Sequence, residues 1–121
     1  MKQIKYIEAY NLTNELSRNT DLSINAKWIL YKLRKILYPH YEFYIRESRE
    51  LFDKYETTAH DDVITFESPE LAIEYTTKQA EIDNLEIDEP IEQLSLKLSD
   101  IPNITIQQIE LLDGFIEFIP E

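Results

Sequence analysis

Apolar residues recur at helical spacing through the first half of the chain and, in places, at strand spacing through the second. Between Lys2 and Arg18 they fall at Ile4, Ile7, Leu12 and Leu16, with Ala9 and Tyr10 beside them, which predicts one amphipathic helix facing a core. Arg18-Asn19-Thr20-Asp21 reads as a polar turn. Ser23 then has the chemistry of an N-cap for a second helix that places Ile24, Trp28, Tyr31, Leu33 and Leu37 on an apolar side. Pro39 lacks a backbone N–H and restricts the residue before it, so this helix either ends near Tyr38 or kinks there and continues. From Tyr41 to Tyr55 the pattern is again helical. Tyr41, Tyr44, Ile45, Leu51, Phe52 and Tyr55 lie on its apolar side, and Glu42/Arg46, Arg46/Glu50 and Arg49/Asp53 form i,i+4 pairs on the other.

Beyond Thr57 to Asp62 the texture changes. Val63-Ile64-Thr65-Phe66 predicts a short strand, and Ser68-Pro69 supplies an N-cap followed by proline at the first helical position, opening a helix to about Asp83. Leu85-Glu86-Ile87 reads as a second short strand. Gln93 to Ser99 alternates Leu94, Leu96 and Leu98 with polar residues, the period of a half-buried strand. After Pro102, Thr105 and Gln108 form a capping-box pair ahead of Ile106, Ile109, Leu112 and Ile116, predicting a last helix that runs to about Phe118 with Gly114 inside it. The fold class expected is α+β in one domain. A helical hairpin over 1–57, kinked or broken at Pro39, precedes an acidic portion over 58–121 with a two- or three-stranded sheet and two further helices.

Composition sharpens this outline. The 121 residues include 43% hydrophobic and 14 aromatic side chains, enough to build a core despite a net charge of -12. The charge is divided unevenly: residues 1–60 hold ten Lys and Arg against eight Asp and Glu, whereas residues 61–121 hold only Lys78 and Lys97 against sixteen acidic residues. A surface of that sign is repelled by phosphate backbones and anionic membranes, so direct nucleic acid and membrane are not among the expected partners unless the first half presents a compact basic patch to nucleic acid. No apolar run approaches the ~20 residues a bilayer span needs, and the chain has no cysteine, which together point to a reducing cytoplasmic setting. The triplets at Asn11 and Asn103 then need carry no glycan.

Candidate chemistry is sparse. His60-Asp61-Asp62 has metal-capable side chains but no third ligand at a fixed spacing, and reads as a solvated turn; His40, beside Pro39, reads as structural. Acidic pairs among Glu86, Asp88, Glu89 and Glu92 could serve glycoside hydrolysis only in a cleft that desolvates one of them. A single glycine leaves no phosphate-cradling loop. No enzyme activity, metal or cofactor is therefore expected. Two features suit partner binding. Glu81, Asp83, Glu86, Asp88, Glu89 and Glu92 crowd twelve residues with no basic residue among them, a field complementary to a basic protein surface. Trp28, Tyr31, Tyr38, Tyr41, Tyr44 and Tyr55 are the residue types of interface hot spots, although a helical core uses the same spacing; Tyr38 and Tyr41, flanking the proline, are the ones expected at the surface.

The stretches NLTNEL (Asn11 to Leu16), KWILYKLRKILYPHYEFYIRESRELFDKY (Lys27 to Tyr55) and LSLKLSDIPNITIQQIELLDGFIE (Leu94 to Glu117) resemble small uncharacterised, acidic, helix-rich proteins encoded by tailed phages and prophages of Gram-positive bacteria. That resemblance implies a phage or prophage origin and brings no catalytic residues with it. The expected function is a non-enzymatic protein-binding module that presents residues 81–92 to a basic, nucleic-acid-binding site on a host or defence protein and inhibits it. The alternative is a virion or assembly accessory that self-associates through its tyrosine-rich helices.

Overall fold

The computed structural model describes residues 1–55, 58–60 and 63–120, with the side chains of 58–60, 63 and 64 left aside. Helix α1 spans Gln3–Leu16 and α2 spans Ile24–Lys54. The two run antiparallel: Asn14 near the end of α1 accepts from Arg34, whereas Tyr6 near its start meets His40, further along α2. Pro39 does not end α2, which is one helix of 31 residues. Ser23 caps it as its chemistry predicts, accepting from the Ala26 amide at 3.0 Å.

The core lies between these helices and the C-terminal segments. Ala26, Leu30, Leu33 and Leu37 line the inner side of α2 against Tyr6, Ala9, Leu12 and Leu16 of α1, all of them buried. This corrects the expected apolar side of α2. Ile24, Trp28 and Tyr31 face solvent, Ile24 being 82% exposed and Trp28 56%. The helix carries apolar residues on two sides, and spacing alone does not say which side meets the core.

Strands β1 (Thr58–His60) and β2 (Val63–Thr65) form a short antiparallel ladder. The first of these was not anticipated; Asp61 and Asp62, where a turn was expected, lie outside the described residues. Helix α3 (Pro69–Asp83) begins as predicted, with Ser68 accepting from the Leu71 amide at 3.3 Å. Strand β3 (Leu94–Lys97) buries Leu94 and Leu96 and exposes Ser95 and Lys97, then tightens into a 3-10 turn over Leu98–Asp100. Leu85 to Ile87 is not a strand. It makes a single bridge, Glu86 to Lys2, where the chain entering α1 runs beside it: the Gln3 amide donates to the Leu85 carbonyl at 2.8 Å and the Ile87 amide to that of Met1 at 3.0 Å. These contacts substitute for a cap on α1, whose Lys2 has none to give.

Helix α4 is short, Ile106–Leu111, and opens with the predicted capping box of Thr105 and Gln108. It does not reach Phe118. The chain turns through Gly114, at φ 89°, and Ile116–Ile119 becomes β4, parallel to β3 with Leu94 opposite Ile116 and Leu96 opposite Phe118. The helical spacing of Ile109, Leu112 and Ile116 misled because Leu112, Phe115 and Ile116 are buried from a turn and a strand rather than from one helix face. A parallel pair needs a crossover of a dozen residues or more, and the segment holding α4 supplies it. The protein is thus α+β and mostly helical, with two separate two-stranded ladders rather than one sheet.

Replacing Leu33, which is fully buried, by alanine should lower the urea-derived stability by about 2–5 kcal/mol. Gly114→Ala should cost more than about 1 kcal/mol, since a left-handed residue gains a Cβ there; a smaller loss on either count would contradict the placement of these residues.

Candidate functional site

The six clustered carboxylates follow the end of α3 and the strap that leaves it. Glu81 and Asp83 occupy the last turn of α3, and Glu86, Asp88, Glu89 and Glu92 lie in the extended connector to β3. The connector runs antiparallel along α2. Asp83 lies by Tyr44, Glu89 Oε2 is 3.3 Å from His40 Nε2, and Glu92 Oε1 is 3.2 Å from Lys32 Nζ. Glu86 meets the terminal ammonium of Met1 at 3.0 Å. Counter-charge for two of the six carboxylates comes from residues far away in sequence, the Met1 ammonium and Lys32, and His40 lies beside a third. The pairs are open to water, with Glu86, Glu89 and Glu92 side chains 59–71% exposed, so each adds little stability but holds the strap in register. Glu81 and Asp88 are exposed and make no ion pair among the described residues.

Under the start of the strap sits a polar cluster between α2 and α3. Gln79 Nε2 donates to Tyr44 Oη at 3.3 Å, Ser48 Oγ at 3.2 Å and Asp83 Oδ1 at 3.1 Å. Burial, and after it the hydrogen bond and charge of Asp83, push the Tyr44 phenol up to about 12. This binds one carboxylate of the acidic group to the helix beneath it.

The second candidate feature lies on the outer side of α2. Tyr38 is 49% exposed, and the charge of Glu42, then a hydrogen bond to it, raise its phenol above the ordinary tyrosine range. Tyr41 is half-buried, stacked on Tyr10 with ring centroids 4.3 Å apart. Of the residues around them, the sequence pointed to Trp28 and Tyr31 but not to Arg34 and Lys35. Tyr10, Tyr31, Arg34, Lys35, Tyr38 and Pro39 line a shallow groove of about 470 Å³. It continues past Tyr38 into a second of about 420 Å³ along Tyr41, Glu42, Ile45, Arg46, Arg49, Glu50 and Asp53. Trp28 stacks on Tyr31, and Lys35 Nζ lies 5.1 Å from the Tyr31 ring centre. The signal was present as aromatic and basic residues spaced three and four apart on the side of α2 opposite its leucines. The i,i+4 pairs expected along this helix do not close to ion-pair distance; Arg46 lies over the Phe43 ring instead.

No group of three or more His, Cys, Asp or Glu that could hold a metal occurs among the described residues, and no helix among them is long and apolar enough to cross a membrane. No protein-family model, curated protein or solved structure matches the chain.

The raised Tyr44 phenol has a thermodynamic consequence. Its neutral form is favoured in the folded protein, so its contribution is complete below pH 10 and is lost as pH rises from about 10 through about 12. Thermal melts should show Tyr44→Phe losing less stability than the unmodified protein across that window; equal losses would place the phenol in ordinary solvent.

Proposed function

We propose that the protein is a non-enzymatic, phage-encoded binding module that acts in the host cytoplasm and inhibits a host or defence protein by covering its basic, nucleic-acid-binding surface. The observation that carries this reading is the ordered acidic strap. Six carboxylates from Glu81 to Glu92 are strung along one side of the molecule, facing two cations, Met1 and Lys32, together with His40. The row stays strongly negative and is fixed in place before any partner arrives. Preorganised charge of one sign accelerates encounter with a surface of the other and competes with phosphate for it. The likeness of Asn11 to Leu16, Lys27 to Tyr55 and Leu94 to Glu117 to proteins of tailed phages supports the origin.

The strap's geometry determines which residues test the idea. Glu86, Glu89 and Glu92 also pin the connector, so their loss mixes binding with local structure. Glu81 and Asp88 hold no ion pair among the described residues. A partner captured from host lysate and identified by mass spectrometry should associate several-fold more slowly with the Glu81→Gln/Asp88→Asn variant, with a flatter salt dependence and an unchanged thermal midpoint. Unchanged kinetics at low salt would reduce the acidic row to a solubility device. Purified protein should show no nuclease, glycosidase or peptidase turnover with or without divalent metals; robust turnover abolished by one carboxylate substitution would overturn the non-enzymatic assignment.

A further inference from the structure

The outer side of α2 is self-complementary about its proline. Counted outward from the Tyr38–Pro39 bond, the fourth residues are Lys35 and Glu42, the eighth Tyr31 and Arg46, the eleventh Trp28 and Arg49, and the twelfth Lys27 and Glu50. Each mirrored pair joins opposite charges or joins an aromatic ring to a guanidinium. In an antiparallel pair of identical helices, mirrored positions are the ones that meet. We propose that a second copy of this chain packs on this face, α2 antiparallel to α2 with Tyr38 at the two-fold axis.

Three further observations support this occupant. The two grooves share Tyr38 and extend to either side of it, as the two halves of an isologous interface must. Trp28, Tyr31 and Tyr38 are large, exposed and on the side of α2 away from its core leucines, so burying them requires no rearrangement of the fold. Charge also varies along the helix. Residues 24–39 hold Lys27, Lys32, Arg34 and Lys35 with no carboxylate, whereas residues 40–54 hold Glu42, Glu47, Glu50 and Asp53 among their charges. Antiparallel packing sets the cationic half against the half that carries every carboxylate, and parallel packing would set the cations against one another. From Trp28 to Arg49 the contact is about 32 Å long, from a rise of 1.5 Å per residue. The strap lies on another part of α2, against Lys32 and His40, so the pairing is independent of the acidic-row reading and leaves that row open.

The mirrored Lys35 and Glu42 allow a charge-exchange test, because seven residues of helix, about 10 Å, separate them within one chain and prevent direct pairing there. Sedimentation equilibrium of the whole chain should show the mass rising from 14.4 kDa towards twice that value as concentration approaches roughly 100 µM. Lys35→Glu and Glu42→Lys should each weaken the dimer about tenfold or more. The two substitutions on one chain should restore it, and an equimolar mixture of the single variants should form the heterodimer. Trp28→Ala, exposed and remote from the core, should weaken it with a circular dichroism spectrum unchanged. A monomer throughout the concentration range would overturn the proposal, as would a dimer indifferent to Lys35→Glu and Trp28→Ala.

Discussion

Everything else in this protein depends on the apolar seam between α1 and α2. Leu30, Leu33 and Leu37 are buried there against Tyr6, Ala9 and Leu12. Removing this much apolar surface from water is the dominant favourable term in a chain of this size. The seam also makes Pro39 tolerable. A proline within a helix forfeits one backbone hydrogen bond and crowds the preceding turn, a cost of about 3 kcal/mol, which packing on both sides of the interruption offsets. Here Leu37 is buried just before it and Tyr41 stacks on Tyr10 just after.

With α2 held as one continuous helix, the remaining segments use it as a frame. The strap from α3 to β3 has little secondary structure of its own; it is kept by backbone bonds to the first residues of the chain and by side-chain contacts with His40 and Lys32. Gln3 illustrates the economy of this arrangement. It is buried, its amide donates to Leu85, and its side chain donates to the carbonyl of Ile82 at 2.9 Å, so the start of α1 and the end of α3 satisfy each other's unpaired backbone groups. The C-terminal segment closes the core in a similar way, with β4 reaching the edge of β3 after the turn at Gly114 and bringing Phe115 beside Tyr6.

The two candidate surfaces are separated by this same frame. Six of the sixteen acidic residues of the second half lie along the end of α3 and the strap, while aromatic and basic residues of the first half remain on the outer side of α2. A protein with a net charge of -12 can therefore present a local cationic and aromatic patch over the first half of α2, because residues 24–39 hold Lys27, Lys32, Arg34 and Lys35 and no carboxylate.

Local signals in the sequence were sufficient wherever the deciding interaction is local. The caps at Ser23, Ser68 and Thr105 involve residues three apart, and the alternation of Leu94 and Leu96 records one buried face of β3, so the starts of α2, α3 and α4 and the α+β class were legible. Tertiary structure decided the rest. Ile116 to Ile119 is a strand because β3 offers it a backbone edge, whereas Leu85 to Ile87 meets the entry to α1 in a single isolated bridge. Which apolar side of α2 turns inward, and which side chains answer Glu89 and Glu92, depend on residues that meet across some fifty or more positions of chain. Periodicity reports that a side chain has a face to bury; only the folded chain determines what it is buried against.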